Sequence, residues 1–355
     1  MPASKRPVQA RRIRGLDSIR VVCAIWVVFG HFGFLPGLLD FDPGTVHGKI
    51  LRGIMGNLFS GPPAVIVFFV ISGFCIHYPF REAGVIPGWR YLLRRYIRIG
   101  IPALAAASFA HTFAPGNPAF DISAKTGTVV WSLMAEVVYY TIYPFLFIAA
   151  ARWGWLRLLA TAVIFSLVII VRAPSLSYLP SYGPWLTWIV GLPYWLLGCH
   201  LADSLDRNPG TNVMPSTIWK WRLSVWAGAS LASVLMFHAG VGYPWTMLVF
   251  GPAIYFWLRN EISYYRTRTP WAVLEWAGLW SYSIYAMHLV LPDLIRKLPL
   301  NWFGPGMKWG LLVILVLIGC YLFYLLVEKP SHWLGRQIQS RTLMPASPAP
   351  IRSEA

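Results

Sequence analysis

The chain has 355 residues, of which 57% are hydrophobic and only 12% charged. Soluble domains carry roughly 25% charged residues, so a soluble globular protein is excluded and a polytopic membrane protein is expected. The net charge of +17 accompanies no RNA- or DNA-binding motif, so no nucleic-acid partner is expected; basic loops that fix topology and touch anionic lipid account for it.

Taken in chain order, residues 1–13 form a basic segment ahead of an apolar run. Its outline is that of a signal peptide, but Arg20 and His31 interrupt the run and no small-residue cleavage site comes after it. It reads as an uncleaved first span. A transmembrane helix needs roughly 20 apolar residues, and that criterion places spans near 18–38, 60–79, 95–114, 129–150, 156–172, 183–202, 222–240, 242–258, 270–291 and 306–328. The fold expected is all-α, with about ten transmembrane helices around a central polar cavity. With the N-terminus in the cytoplasm and alternating spans, most of the 30 Lys and Arg residues fall in cytoplasmic segments, as the positive-inside rule requires. Both termini are then cytoplasmic. Residues 336–355, rich in Pro, Ser and Ala toward the end, read as a flexible tail. Cys23, Cys75, Cys199 and Cys320 each sit in an apolar stretch without a CxxC pair, so neither a disulfide framework nor a metal site is expected. The 19 Trp residues suit interfacial anchoring.

Ionisable groups inside a span are costly and face protein or a cavity, so the residues that break the apolar pattern carry the information. Arg14, Asp17 and Arg20 precede His31. Arg20 and His31 are eleven positions apart, close to three helical turns, so they share a face about 16 Å apart along the axis. Asp17 lies one turn before Arg20 and can pair with it. Arg14 and Arg20 also fit positive-inside anchors. Arg90, Arg94, Arg95 and Arg98 come after the second span; their guanidinium forks suit phosphate oxygens, although lipid phosphate would serve as well. Ser132, Glu136, Tyr139, Tyr140 and Tyr143 recur at one-face spacing. Ser281, Tyr285 and His288 do the same, where helix-packing hydrogen bonds are the competing explanation.

In this order the clusters resemble acyltransferase family three, the bacterial membrane-bound O-acyltransferases of cell-surface glycans. The marks are Arg14-x-x-Asp17-x-x-Arg20, Arg20-x10-His31, Phe68-Phe69-Val-Ile-Ser72-Gly73-Phe74 and Arg94-Arg95-x-x-Arg98 before Pro102. They continue with Trp131-Ser132-x-x-x-Glu136, Ser281-Tyr282-Ser283-Ile-Tyr285-x-x-His288 and Glu328-x-Pro330. Met134, Ala135 and Val137 replace more polar neighbours of the glutamate usual in that family. The resemblance implies a membrane acyltransferase domain over residues 14–335 in the bacterial inner membrane. It implies an acyl-CoA donor, often acetyl-CoA, and a glycan or lipid-linked glycan acceptor.

Transfer from a thioester to an alcohol needs a base, a clamp for the donor and stabilisation of the oxyanion. A histidine, with a reference pKa of about 6.5, suits the base. His31 is the expected base, Arg20 holds the donor or the developing charge, and Glu136 orients His31 or bonds the sugar. Arg14, Arg94, Arg95 and Arg98 are the expected donor ligands. Asp17, Ser72, Ser132, Tyr140, Ser281, Tyr285 and His288 are expected on the substrate side. Direct transfer and a covalent acyl-enzyme both fit. A transporter or flippase of a charged lipid or glycan also explains buried Arg, His and Glu, although no repeat relates the two halves of the chain.

Overall fold

The computed structural model describes residues 13–36, 42, 44–81, 88–123, 128–205, 213–300 and 302–340. The regular elements among them are helical: α1 Leu16–Phe32, α2 Val46–Gly56, α3 Gly61–His77, α4 Trp89–Phe113, α5 Val130–Trp153, α6 Trp155–Arg172 and α7 Gly183–Ser204. Next come α8 Pro215–Ala239, α9 Tyr243–Tyr264, α10 Ala272–Gly278, α11 Ser281–Met287, α12 Leu291–Ile295, α13 Pro305–Phe323 and α14 Lys329–Ser340. Proline stands in the first two positions of α3, α7, α8, α9 and α13. There its missing N–H costs no intrahelical bond and its fixed φ favours the first turn.

Five helical stretches among the described residues are long and apolar enough to cross a membrane: Val46–His77, Val130–Trp153, Trp155–Arg172, Leu179–Ser204 and Pro305–Ile338. The chain is a polytopic helical membrane protein. Large apolar side chains such as Phe145, Ile164, Phe165, Val249 and Leu326 point outward, as a lipid-facing surface requires. The other expected spans are also built around helices, with differences. α1 has 17 residues. The expected span 270–291 is broken into α10 and α11, which sets Glu275 beneath α1 and Ser283 beside Glu328. α2, between the first two expected spans, is a short helix whose first turn is capped by Thr45. The helix α14 runs five residues into the segment expected to be flexible; residues 341–355, like the basic residues 1–12, lie outside the described residues.

The centre is α3, which is buried along most of its length and packs against α1, α5, α7 and α9. Its tightest seam is with α7. A Cβ on Gly73 would sit 1.9 Å from the Trp195 carbonyl oxygen, and one on Gly198 2.0 Å from that of Val70. Only glycine allows this backbone approach, the small-residue packing that lipid-embedded helices use. Contacts along the seams fix relative directions. Ser72 meets Trp195 and His77 meets Asp203, so α3 and α7 are parallel. Ser72 meets Glu136 and His77 meets Tyr143, so α5 runs the same way. In α1, His31 lies by Val65 and Arg20 within electrostatic reach of Cys75, so α1 is antiparallel to α3. These directions are those of segments that cross alternately in chain order.

Away from the centre, α8 and α9 are joined by Arg222, whose Nε and Nη2 donate to the two Glu261 carboxylate oxygens at 2.7 and 3.0 Å. This two-pronged bond leaves neither charge without a partner, which a buried carboxylate needs.

Candidate active site

Three groups of polar side chains follow one another through the helices, from the start of α1 to its end, and together mark a polar path. The start of α1 is held from outside the helix. Gly15 N–H, Ser18 N–H and Ser18 Oγ all donate to Glu275 Oε1 of α10, at 3.1, 3.1 and 2.7 Å. A carboxylate there satisfies orphan N–H groups and complements the helix dipole. It also fixes the turn that carries Asp17 and Arg20, which are 3.5 Å apart.

Around Arg20 the cations gather. Arg98 of α4 is within electrostatic reach of Arg20, Arg94 and Arg95. Arg95 lies over the rings of Tyr91 and Tyr140 at 5.7 and 5.8 Å. The facing acid is Glu328, at the end of the π-helical turn Tyr324–Glu328 that joins α13 to α14. It is buried, accepts from Ser283 N–H at 3.1 Å and from Ser283 Oγ, and lies 3.7 Å from His332. π turns tend to occur where a side chain must be re-aimed at a functional site. Arg14 is exposed, and among the described residues no hydrogen bond or ion pair ties it to this group.

The middle of the path is Glu136. Its Oε1 accepts from Ser72 Oγ at 2.6 Å and from the Tyr140 hydroxyl. Trp195 of α7 donates its indole N–H to Ser72 Oγ at 3.3 Å. Because an indole N–H can only donate, the Ser72 proton is left for Glu136. The bonds of Glu136 therefore go to Ser72 and Tyr140, and the aromatic neighbour of His31 is a second histidine.

That pair closes the path. The rings of His31 on α1 and His288 after α11 are 5.2 Å apart. His288 is fully buried, and its Nδ1 is 2.8 Å from the Tyr285 carbonyl oxygen. A carbonyl only accepts, so Nδ1 carries a proton, and whenever the ring is neutral Nε2 is an acceptor. Nε2 is buried without a hydrogen-bond partner among the described residues. The Tyr285 hydroxyl is 2.7 Å from Ser132 Oγ, which in turn donates to the Val129 carbonyl at 3.0 Å. His31, Tyr285 and His288 line a cavity of about 190 Å³ together with Val65, Trp131 and Tyr178. Ser281 stands apart. It is fully buried and donates to the Gly278 carbonyl at 2.9 Å. It shares a helix face with His288 but starts the helix two turns earlier, about 10 Å along the axis.

The model of an acyltransferase domain matches residues 13–325. The chain belongs to the acyltransferase 3 family. No curated protein and no solved structure matches it.

In this acyltransferase the sequence-expected residues fall into three groups. Arg20, Asp17, Arg94, Arg95 and Arg98 lie toward one end. Ser72, Glu136 and Tyr140 are in the middle, and His31, His288, Tyr285 and Ser132 at the other end. Glu275, Trp195 and Tyr178 did not stand out in the sequence. Glu275 carried one signal, being among only 13 acidic residues and next to a long apolar stretch. Trp195 carried none, as one of 19 tryptophans.

Proposed function

We propose that this acyltransferase moves an acyl group, most simply acetyl, from cytoplasmic acyl-CoA to a hydroxyl of a cell-envelope or exported glycan. In this reading it lies in the bacterial inner membrane with both termini cytoplasmic. The observation that carries the reading is the polar path itself, a cation cluster at one end and a histidine pair at the other. Eleven residues of α1 separate Arg20 from His31, about 16 Å of helix, a distance an extended pantetheine arm can bridge.

The chemistry rests on the groups present. Arg20, Arg94, Arg95 and Arg98 bind the phosphoryl groups of the donor by charge-assisted bonds. His31 takes the proton of the acceptor hydroxyl. The oxygen then attacks the thioester carbonyl, the C–O bond forms, the C–S bond breaks and the coenzyme A thiolate leaves to be protonated. His288 stands beside His31, and its Nε2, without a partner among the described residues, offers an acceptor to the sugar hydroxyls in the cavity. The Trp131, Tyr178 and Tyr285 rings around the cavity offer flat apolar faces to a sugar ring. Glu136, held by Ser72 and Tyr140, stabilises the cationic side of the path.

The test uses the full chain in detergent. A His31→Ala protein should lose acyl-CoA consumption by at least about 100-fold, within the range for a general base, while coenzyme A still raises its melting temperature. Wild-type turnover in that variant would remove the base assignment. A wild-type protein that consumes no acyl-CoA but moves a labelled glycan across vesicles would establish the transporter reading instead.

A further inference from the structure

The helix α14 lies beyond residue 325, where the family match ends. It nevertheless packs directly on α4, the helix that carries the arginine cluster. The approach is close at one point. A Cβ on Gly335 would be 3.1 Å from Arg98 Cγ and 3.5 Å from Arg94 Cγ. The π turn before α14 adds a residue to the helical register and so rotates α14 by about 100° relative to α13. Along α14, His332 lies 3.7 Å from Glu328 one turn before it, and Arg336 is within electrostatic reach of His332 and, across the seam, of Arg94.

Among the described residues the cluster sets five arginines, Arg20, Arg94, Arg95, Arg98 and Arg336, against three carboxylates, Asp17, Glu136 and Glu328. Glu328 is engaged by Ser283, and Glu136 by Ser72 and Tyr140. Arg95 Nε is buried with no acceptor among the described residues. Arg336 is exposed and makes no ion pair among the described residues. Like charges are held together at a cost unless an anion joins them, and several guanidinium groups in one place fit several phosphoryl groups.

We propose that α14 is a wall of the donor site and that Arg336 contributes a cation to the phosphoryl groups of coenzyme A. This rests on the acyl-CoA reading above. Trp333 and Leu334 on the same helix are exposed and suit a membrane interface, so a lipid phosphate is the competing source of the same chemistry. Arg336 is assigned to the donor because it adjoins Arg94 inside the cluster.

The full chain in phosphatidylcholine nanodiscs, which carry no net charge, is titrated with coenzyme A. Arg336→Gln should weaken binding about tenfold, the loss expected for one hydrogen-bonded charge. Gly335→Leu, which pushes α14 off α4, should weaken it too. Arg157→Gln, an equal charge change on α6, should not. If Arg336→Gln and Gly335→Leu both bind coenzyme A as the wild type does, α14 has no part in the site and the donor reading stands; an unaffected Arg336→Gln by itself removes the Arg336 cation and overturns the proposal. An effect seen only in discs with anionic lipid assigns Arg336 to lipid and overturns the proposal. A wild type that binds no coenzyme A overturns both.

Discussion

Glu275 offers the sharpest test of how the site is assembled. One oxygen accepts three bonds from the first turn of α1, from Gly15 N–H, Ser18 N–H and Ser18 Oγ. Replacing Glu275 by Ala removes all three at once. Hydrogen bonds to a charged group contribute about 1.5–3 kcal/mol each, but these are half-buried and water recovers part of the loss. The net cost is then about 2–3 kcal/mol. Gln keeps an acceptor oxygen in the same place and loses only the charge, whose interaction with a helix N-terminus is about 0.3–1 kcal/mol. Unfolding in mixed detergent micelles should therefore rank wild type above Glu275→Gln and Glu275→Ala last. Because α1 carries both Arg20 and His31, its loosening should lower coenzyme A affinity and turnover together. Equal stability of wild type and Glu275→Ala, or a Gln variant worse than Ala, would refute the capping role.

The packing and the cavity give two further outcomes. Gly198→Ala places a Cβ about 2.0 Å from the Val70 carbonyl oxygen and should destabilise the protein by about 1–3 kcal/mol, whereas Leu104→Ala on the exposed face of α4 should change stability little; unfolding of both variants checks this. Tyr285→Phe removes the hydroxyl that meets Ser132 at 2.7 Å and should lower turnover about tenfold without affecting coenzyme A binding. Adding Ser132→Ala to it should then cost little more, because the two act as one unit; fully additive losses would show that the pair is not coupled.

Much of this protein was determined by the sequence alone. Apolar runs of fixed length, with charges gathered in alternate loops, leave little freedom in a solvent that cannot hydrogen-bond the backbone. The helices α3, α5, α6, α7 and α13 result from that, and the shared direction of α3, α5 and α7 from alternation. The polar residues were legible for the same reason, since Arg20, His31, Glu136 and His288 break patterns that lipid enforces. What the sequence left open was which of them meet. Glu136 was a possible partner of His31, yet Ser72 and Tyr140 take its bonds and His288 is the ring beside His31. Ser281 and Tyr285 share a face, but only Tyr285 reaches the cavity. Helical spacing gives the face of a residue, while its partner depends on how far each helix slides along its neighbours. The α3–α7 glycine seam, the break between α10 and α11 and the π turn before α14 set those positions. Each joins residues far apart in the chain, as Glu275 and Ser18 are, and so only the tertiary structure decides them.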